Sequence, residues 1–448
     1  MFFNKTSGAI GVHPPQNKGT QGMAFVEVNG FKSVTIPLNL QVGPGCSALV
    51  KKGDAVKVGQ KIGEPLGHWS VPAHSSVSGT VLQVKKDILS NGDVADLVVI
   101  ESDGLQTLDE SIAPPVVTDK ASFLAAIRAA GLVGLGGAAF PTHVKLDPPE
   151  GKTIDTRIVN GAECEPYITA DDQLMRTRAD RIVRGINYVC RYLDISRCLI
   201  GVEDNKPEAV RALNEAIANF PTELKVGIKV IALKSLYPTG AEKVLIRYLT
   251  DRIVPEKGLP VDVGVVVLNV GTAAFISDII DTGMPLIRKF VTIDGSAMNK
   301  RGNYNLPIGA PLEDVIEAVG GTKEPIGKII MGGPMMGVAI DDVRHPILKH
   351  TNALIVANEK GATIPAESNC IYCGRCSKHC PMKLMPTDLD MAARAENVEA
   401  LCEYHVLNCI ECGSCTYVCP AKRYLLQNIR IGKNLVRQAA TKEANKCI

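Results

Sequence analysis

The sequence predicts a multidomain α/β protein whose central domain is built on a parallel β-sheet. Its 448 residues suggest three or four folded units, at about 150 residues per domain. From about residue 121, short apolar runs alternate with longer helical patterns, and this alternation is typical of a parallel sheet with crossover helices. Two four-cysteine motifs follow that region, which indicates a separate module at the end of the chain.

Composition and hydropathy argue against a nucleic-acid-binding protein and against a protein that spans the membrane. The formal net charge is +2, and aromatic residues make up 4% of the chain with a single Trp, so we expect no nucleic-acid partner. The longest apolar stretch, "VGVVVLNVGTAAFISDII", is interrupted by Asn269, Gly271, Thr272 and Asp278. No signal peptide is recognisable at the N-terminus. We therefore expect a cytoplasmic chain with no transmembrane segment of its own.

Residues 1–115 are predicted to form an N-terminal arm and a scaffold module. Short alternating strands with "KKGD" and "VSGTV" turns indicate a flattened β-barrel, the barrel-sandwich fold of biotinyl and lipoyl carriers. Such carriers present a lysine at an exposed hairpin tip, where this chain has "GHWSVPAH". We interpret the module as an unmodified scaffold.

Residues 116–287 are predicted to form a Rossmann-like domain. The apolar runs "RIVN", "RCLIGVE", "IKVIAL" and "GVVVLN" are the expected strands, and patterns such as "DDQLMRTRADRIVRGINYVCRYL" are the expected helices. A parallel sheet of this kind binds ligands at the carboxyl ends of its strands. We therefore looked for chemistry-bearing residues at those ends.

Four loops fall near the strand ends. "GLVGLGGAAFPTHVK" is rich in glycine but follows a helical pattern, which is the wrong context for an ordinary dinucleotide fingerprint. "NGAECEPY" carries Glu163 and Glu165, and "YPTGAEK" opens a predicted helix at Pro238 that could hold phosphate. The fourth strand ends at Asn269. Each loop alone could be a simple turn or a solvated carboxylate, but their convergence predicts a ligand crevice.

The cysteine motifs "CIYCGRCSKHCP" and "CIECGSCTYVCP" both read C-x2-C-x2-C-x3-C-P. Two-cluster ferredoxins use this run: three thiolates of one motif and the fourth of the other bind each cube. Zinc, the alternative, usually takes two C-x2-C pairs separated by a longer spacer. We predict two [4Fe–4S] clusters, one held by Cys370, Cys373, Cys376 and Cys419, and one by Cys409, Cys412, Cys415 and Cys380.

The segments around these motifs complete the predicted organisation. Residues 288–350 give two short strands, a turn and a helix, and residues 351–430 form the α-helical ferredoxin-like domain. The spacer between the motifs is expected to be largely one helix, with Cys402 a buried thiol. The basic amphipathic tail, 431–448, could dock on a partner or a membrane, or close the domain as a solvated helix. Cys447 is expected to have no role.

The central motifs resemble the NADH-oxidising flavoprotein subunit of respiratory complex I. "GLGGAAFPTHVK" is similar to its GRGGAGFPTGLKW, and "NGAECEPY" is similar to its NADESEPG, with Ala162 and Tyr167 departing from that pattern. Residues 288–321 resemble the β-grasp module of the soluble-ligand-binding type that accompanies that subunit. The resemblance implies FMN and NAD(H) in the crevice, with Phe140 on nicotinamide. The implied cofactor-binding residues are Gly134, Gly136, Gly137, Phe140, Lys145, Asn160, Glu163, Glu165, Gly240, Glu242, Asn269 and Thr272.

Along its whole length the chain resembles the C subunit of the Rnf ion-translocating ferredoxin:NAD oxidoreductase complex. The shared motifs include "GVHPPQNK", "VPAHSSVSGTV", "YPTGAEK", "GGPMMG" and the paired cysteine sets. This resemblance implies a peripheral subunit at the cytoplasmic face of the membrane, working with membrane and soluble subunits that include a ferredoxin-like iron–sulfur subunit. It implies electron exchange between NAD(H) and ferredoxin-linked carriers through FMN and the two clusters.

Two other functions are compatible with these motifs. A soluble cobalamin-reducing flavoprotein of bacterial microcompartments has the same architecture, and would co-purify with corrinoid enzymes instead of membrane subunits. A non-catalytic iron–sulfur adaptor would keep the clusters and lack the nucleotide. Ala162 and Tyr167, which depart from the flavoprotein pattern, are the basis for the adaptor hypothesis.

Overall fold

The computed structural model describes residues 10–88, 94–221 and 227–446. Residues 1–9 and 447–448, at the ends of the predicted terminal modules, lie outside the described residues, as does Cys447. Within the described part, no helix is both long and apolar enough to cross a membrane.

The N-terminal module consists of two small antiparallel sheets packed face to face. One has the strand order β2-β8-β7-β4 and the other β3-β5-β6, and Val34, Ile36 and Ile62 are fully buried in the core that includes them. Successive side chains of a strand point to opposite faces of its sheet, so each sheet has one face that packs into the shared core and one that faces outward. The prediction of a barrel-sandwich module is confirmed. Its strands, after β1 (Phe25–Glu27), are β2 (Ser33–Pro37), β3 (Cys46–Ala48), β4 (Ala55–Val56), β5 (Lys61–Pro65), β6 (Ala73–His74), β7 (Gly79–Ile88) and β8 (Val94–Ser102).

The central domain is a four-stranded parallel sheet with helices on its faces. Its order is β11-β10-β9-β12, and all three strand pairs are parallel, as the alternating pattern predicted. Because β9 has neighbours reached by opposite crossovers, a crevice opens at its carboxyl end. The elements are α1 (Lys120–Ala129), α2 (Thr142–Lys145), β9 (Thr156–Gly161), α3 (Ala170–Thr177), α4 (Ala179–Leu193), β10 (Arg197–Glu203), α5 (Pro207–Asn219), β11 (Gly227–Leu233), α6 (Glu242–Thr250), β12 (Val265–Asn269) and α7 (Val270–Thr282).

Two helices of this domain differ from the sequence-based expectation. The long helix predicted before β10 is divided at Arg178, whose φ of −137° and ψ of 33° are not helical. The Arg178 guanidinium lies 5.0 Å from the centre of the Phe290 ring, so the residue at the break contacts a segment that is distant in sequence. The helix expected at Pro238 begins at Glu242 instead, because the Ala241 amide donates to the Pro238 carbonyl in a turn.

The third module is a six-stranded mixed sheet of order β1-β14-β13-β17-β15-β16. It extends past the predicted boundary at residue 350, because β17 pairs with both β13 and β15. Strand β1 of the N-terminal arm adds a parallel edge to β14. The new elements are β13 (Arg288–Asp294), β14 (Gly302–Pro307), α8 (Leu312–Ala318), β15 (Ile326–Met331), β16 (Val338–Ile340) and β17 (Ala353–Asn358).

The C-terminal module is helical. Its spacer forms two helices instead of one, because Glu396 adopts a left-handed conformation with a φ of 52°. The expectation that Cys402 is buried was wrong, since this thiol is exposed. The last helix begins at Leu425, so the predicted tail continues the module. The helices are α9 (Glu359–Ala362), α10 (Arg375–Lys378), α11 (Pro386–Arg394), α12 (Val398–Glu403), α13 (Ser414–Tyr417) and α14 (Leu425–Lys446).

The N-terminal arm connects the central domain to the third module. Val12 forms a β-bridge with Tyr237. The Lys18 ammonium donates hydrogen bonds to the carbonyl oxygens of Glu163 (2.8 Å), Glu165 (2.8 Å) and Ile168 (2.6 Å). The arm thus fixes the loop that follows β9.

Candidate functional site: a crevice beside a four-thiol cavity

A crevice of about 1150 Å³ opens at the carboxyl edge of the parallel sheet. Its walls come from the glycine-rich loop before α2, the loop after β9, the turn before α6 and the start of α7. Every residue proposed from the sequence to bind cofactor lies in these walls: Gly134, Gly136, Gly137, Phe140, Lys145, Asn160, Glu163, Glu165, Gly240, Glu242, Asn269 and Thr272.

The glycine-rich loop lies directly against the first turn of α7. The Leu135 amide donates to the Thr272 hydroxyl oxygen at 3.0 Å. A Cβ atom added to Gly136 would lie 3.0 Å from the Cβ of Asn269, whereas one added to Gly137 would meet no protein atom within 4 Å. The loop therefore packs through Gly136 and leaves the space beside Gly137 free for a bound molecule.

Two asparagines hold the other loops of the crevice in place. The Asn269 side chain accepts hydrogen bonds from the amides of Gly271 (2.8 Å) and Thr272 (3.4 Å) and so caps α7. The Asn160 side-chain amide donates to the Gly240 carbonyl oxygen at 2.8 Å. Both asparagines therefore order backbone that lines the crevice, in addition to any contact with a ligand.

The two glutamates of "NGAECEPY" are buried and bound to protein groups. The Glu163 carboxylate accepts from the Asp171 amide at 2.6 Å, and burial raises its pKa to about 7. The Glu165 carboxylate accepts from the amides of Met335 (3.1 Å) and Met336 (2.9 Å), and burial likewise raises its pKa. Their contact with cofactor stays a prediction.

The positions that depart from the flavoprotein pattern lie on either side of these glutamates. Ala162 is fully buried, and its carbonyl oxygen accepts from the Lys206 ammonium at 2.8 Å. The Tyr167 amide donates to the Gln16 carbonyl oxygen at 2.9 Å. Both positions thus contribute backbone contacts to lysine or to the N-terminal arm.

Charged and aromatic side chains line the mouth of the crevice. Lys145 pairs with Glu242 at 2.5 Å between Nζ and Oε1. The Phe140 ring meets the Trp69 ring edge-on, with centroids 5.3 Å apart. Trp69 comes from the "GHWSVPAH" loop of the N-terminal module and also lines the crevice. Sequence reasoning missed it because that loop was examined for a carrier lysine, although the chain's single tryptophan at a hairpin tip was an available signal.

A second, smaller cavity is lined by four thiols: Cys380, Cys409, Cys412 and Cys415. These are the members of one predicted cluster-binding set. Burial raises the pKa of the Cys409 thiol to about 11, and it also raises the pKa values of Cys380, Cys412 and Cys415. Four buried thiols become thiolates together only beside a compensating cationic centre. The donor set therefore fits an iron–sulfur cube.

The other predicted set lies nearer the surface. Cys376 belongs to the apolar core of the helical module and Cys419 packs against that core, whereas Cys373 is exposed. The Ser368 amide donates to the Ala421 carbonyl oxygen at 2.9 Å, which holds the start of the first motif beside the end of the second. No three His, Cys, Asp or Glu side chains of the described residues could hold a single metal ion. A cube, in contrast, binds each thiolate through a different iron.

The two motifs have the same backbone conformation. Gly374 and Gly413 have φ values of 69° and 73°, and Tyr372 and Glu411 have values of 53° and 56°. The Tyr372 amide donates to the Cys370 sulfur at 3.4 Å, and the Glu411 amide donates to the Cys409 sulfur at 3.3 Å. The sequence repeat is thus a structural repeat, and each copy directs an amide at a cysteine sulfur. Hydrogen bonds of this kind tune the reduction potential of a bound cluster.

The crevice and the four-thiol cavity share a wall. Ile410, between the first two cysteines of the second motif, lines both spaces. The Tyr237 hydroxyl donates to the Cys412 carbonyl oxygen at 2.7 Å. A Cβ atom on Gly413 would lie 2.7 Å from the Met335 carbonyl oxygen, so only glycine permits this approach. We call these contacts the crevice–cavity junction.

Comparison with known families agrees with this division into modules. Residues 7–105 match the RnfC barrel sandwich hybrid domain and residues 127–278 the Nuo51 FMN-binding domain. Residues 290–339 match the SLBB domain, and residues 368–423 match a 4Fe-4S dicluster domain. Fold and site together define a modular iron–sulfur protein with a nucleotide-type crevice.

The chain belongs to the family of C subunits of ion-translocating ferredoxin:NAD(+) oxidoreductase complexes. It is 44% identical to the C subunit of the Na(+)-translocating complex of Acetobacterium woodii over 430 residues, covering 94% of this chain and 95% of that protein. It is 41% identical to the C subunit of the proton-translocating complex of Clostridium ljungdahlii, covering 97% and 95% of the two chains. The resemblance inferred from the motifs is confirmed.

A solved structure shares the fold at lower similarity. A chain of an NAD+-reducing [NiFe]-hydrogenase in the air-oxidised state superposes with a TM-score of 0.50 and 20% identity. The match covers 64% of this chain and 54% of that one. This likeness supports the fold and carries no assignment of individual residues.

Proposed function

We propose that this chain is an electron-transfer subunit that exchanges electrons between NAD(H) and ferredoxin-linked carriers through FMN and two [4Fe–4S] clusters. It would do so as a peripheral subunit at the cytoplasmic face of the membrane. The observation that carries the proposal is the crevice–cavity junction, where Ile410 lines both spaces and the Tyr237 hydroxyl donates a hydrogen bond to the Cys412 carbonyl oxygen. Family membership favours this function over the microcompartment and adaptor alternatives.

The crevice residues would bind and orient the flavin and the nicotinamide. Flavin supplies the conversion between two-electron hydride chemistry and one-electron transfer. The glycine-rich loop leaves room for a ring beside Gly137, and Phe140 with Trp69 offers an aromatic surface for nicotinamide. Glu165 would act on the cofactor indirectly, since its carboxylate orders Met335 and Met336 at the junction.

The cysteine sets would hold the two clusters at different depths. One set, which we call the inner set, adjoins the crevice and is largely buried; it consists of Cys380, Cys409, Cys412 and Cys415. The other, which we call the outer set, includes the exposed Cys373; it consists of Cys370, Cys373, Cys376 and Cys419. Ile371 and Tyr372, which lie between its first two cysteines, are also exposed. We infer that the outer set faces the partner subunits, among them a ferredoxin-like iron–sulfur subunit.

Cofactor content measured without oxygen tests this proposal. The purified chain is expected to contain about eight irons and one FMN, since each cube holds four irons. NADH should bleach both flavin and cluster absorbance. Removal of Cys412 by C412S should stop bleaching of the remaining cluster while flavin reduction continues. Bound zinc, or four irons or fewer in the wild-type chain, would contradict the two-cluster assignment.

Association with partners tests the assignment to a complex. A tagged copy of the chain, expressed in the organism from which it comes, should co-purify with membrane-embedded subunits from detergent extracts. Co-purification with corrinoid enzymes from the soluble fraction would favour the microcompartment function instead. Cluster absorbance without any NADH-dependent reduction of an artificial acceptor would favour the adaptor.

A further inference from the structure

The two cysteine motifs can be compared position by position, because they share one backbone conformation. In the second motif, the side chains between the cysteines contact the rest of the chain. Ile410 lines the crevice, and Ser414 is fully buried. Glu411 pairs with Arg430 at 3.0 Å and also pairs with Lys433. These positions of the second motif are therefore occupied in contacts within the molecule.

The matching positions of the first motif face solvent. Ile371 is 67% exposed, Tyr372 is 76% exposed, and Arg375 is exposed as well. In the same order, they match three residues of the second motif: Ile410, Glu411 and Ser414. The backbone of the motif therefore does not require these side chains to be exposed. Tyrosine and arginine are enriched where proteins bind other proteins.

The repeat also relates this exposed surface to the crevice. Ile410 separates the crevice from the cavity of the inner set. Ile371 holds the matching place in the first motif, beside the outer set, and faces solvent. The outer set thus has an open surface at the place where the inner set has the crevice. A second electron carrier could approach the outer set there.

Basic side chains surround this open surface. Arg375 and Lys378 are three residues apart on α10, on the same side of the helix, and both are exposed. Lys422 is also exposed and lies in the turn after Cys419, because its amide donates to the Cys419 carbonyl oxygen at 3.2 Å. None of these three cations forms a salt bridge within the described part of the chain.

The acidic side chains of the module lie elsewhere in its sequence. Residues 368–387 and 412–424 contain no Asp or Glu, whereas residues 388–411 contain six of them and a single Arg. Glu367, which precedes the first motif, pairs with Arg394 at 2.8 Å. Asp390 pairs with Arg423 at 2.5 Å. The positive charge around the open surface is therefore not neutralised by ion pairs within the module.

We propose that this surface docks an electron-carrier protein with an acidic face. We call it the docking surface, and it consists of Ile371, Tyr372, Arg375, Lys378 and Lys422. Its two apolar side chains form the central contact, and its three cations attract and orient the acidic partner. The inference rests on the proposed function, since it names the chemistry of the partner that exchanges electrons with the outer set.

Electron transfer from an acidic ferredoxin tests the docking surface. The probe is a two-[4Fe–4S] ferredoxin of strongly negative net charge, reduced beforehand and freed of reductant. Two of its clusters each lose one electron, and the holoprotein passes both electrons, with one proton from solvent, to NAD+ to give NADH. The second-order rate constant follows from NADH absorbance at limiting ferredoxin.

Charge reversal should slow this reaction strongly. R375E/K378E should lower the rate constant about 10- to 100-fold at low salt, because attraction of the partner becomes repulsion. Y372A should lower it about fivefold, through loss of the central contact. Both variants should keep about eight irons.

The matched control is K86E, which makes the same change of charge at an exposed position of β7 in the N-terminal module. It should alter the rate constant by less than about twofold. NADH-dependent reduction of menadione, a small neutral quinone, reports the flavin reaction. Its rate should be the same in the wild-type chain and in all three variants.

Each outcome separates the inference from the proposed function. Unchanged ferredoxin rates in R375E/K378E and Y372A, or equal effects of K86E and R375E/K378E, overturn the docking surface and leave the flavin function intact. A wild-type chain that neither reduces menadione nor forms NADH overturns both. Binding to anionic phospholipid vesicles that R375E/K378E abolishes, with unchanged ferredoxin rates, assigns the surface to a membrane and overturns the inference.

The wild-type chain decides if R375E/K378E loses iron. Its rate constant with the acidic ferredoxin should fall steeply between about 20 and 300 mM salt, since ions screen the attraction between exposed charges. A rate constant that stays the same or rises with salt overturns the inference.

Discussion

The Tyr237 hydroxyl donates a 2.7 Å hydrogen bond to the carbonyl oxygen of Cys412, and the Glu165 carboxylate lies 3.3 Å from the same hydroxyl. One tyrosine therefore contacts both the loop that lines the crevice and the loop that carries a thiol of the inner set. Its position is fixed by the β-bridge to Val12. The junction thus depends on hydrogen bonds between modules as well as on apolar packing.

Replacement of this tyrosine tests the junction. Y237F removes the hydroxyl and leaves the buried Cys412 carbonyl oxygen without its donor, which costs about 1–3 kcal/mol. We expect the melting temperature to fall by about 2–6 °C and NADH-dependent bleaching of the clusters to slow. Stopped-flow absorbance of the holoprotein measures the second effect.

The control for Y237F is Y192F. The Tyr192 hydroxyl donates to the Val117 carbonyl oxygen at 3.2 Å, far along the chain from the cysteine motifs. Y192F should lower the melting temperature and leave the bleaching rate unchanged. Equal bleaching rates in Y237F and the wild-type chain would show that the bond has no part in electron transfer.

The two cysteine sets should differ in their resistance to oxidation. C419S should leave the inner cluster and C380S the outer one, each with about four irons. Because Cys412 and Cys415 are buried while Cys373 is exposed, oxidants reach the outer set more easily. We expect the cluster absorbance of C380S to decay several-fold faster in air than that of C419S.

The exposed Cys402 provides the control for these variants. C402S should keep the full iron content and the wild-type decay rate, since Cys402 lies in α12 between the two motifs. Loss of all iron in both C380S and C419S would contradict independent sites. Faster decay in C419S would contradict the assignment of inner and outer sets.

Tryptophan fluorescence should report binding in the crevice. Trp69 is the only tryptophan of the chain, and its ring lies 5.3 Å from that of Phe140. We therefore expect FMN added to the flavin-free chain to quench most of the tryptophan emission with the same dissociation constant that flavin fluorescence gives. W69F should weaken NADH binding several-fold through loss of aromatic contact. Unquenched emission at saturating FMN would place the flavin elsewhere.

Stability should depend on pH through Glu163. Burial raises the pKa of this carboxyl from its ordinary 4.5 to about 7. The folded chain therefore holds the proton that the unfolded chain has already released. The resulting stabilisation is complete below about pH 4.5 and is lost as the pH rises through about 7.

Replacement of Glu163 by a side chain that does not ionise should make the melting temperature depend less on pH. The melting temperature of E163Q should fall less than that of the wild-type holoprotein between about pH 5.5 and 8. E313Q, at an exposed position in α8, controls for the loss of one charge and should keep the wild-type slope. Parallel profiles for wild type and E163Q would mean that Glu163 does not titrate in this range.

Local patterns predicted much of this structure. The alternation of apolar runs and helical patterns predicted that β9, β10, β11 and β12 form a parallel sheet, because strands joined by crossover helices run in the same direction. It did not predict their order in the sheet, which is β11-β10-β9-β12. The cysteine spacing also predicted the four thiols that line one cavity. In this motif, three thiols of one copy and the last thiol of the other copy are expected at the same cluster. Both signals lie within short stretches of sequence.

What sequence reasoning missed depends on contacts between distant segments. Arg178, where the predicted helix is divided, contacts Phe290, and the Glu165 carboxylate accepts hydrogen bonds from Met335 and Met336. Trp69 and Lys289 reach the crevice from neighbouring modules. The burial of Cys402 was predicted wrongly from one continuous spacer helix, whereas the thiol is exposed on the second of two helices.

The N-terminal arm has a consequence for the order of folding. Residues 10–28 are synthesised before every segment that they contact, yet Val12 pairs with Tyr237 and β1 with β14. Contacts of such long sequence separation form late, because the intervening chain must first be brought together. We therefore expect the arm to dock only after the sheets of both later modules have formed, and its docking to be a late step in the assembly of the crevice.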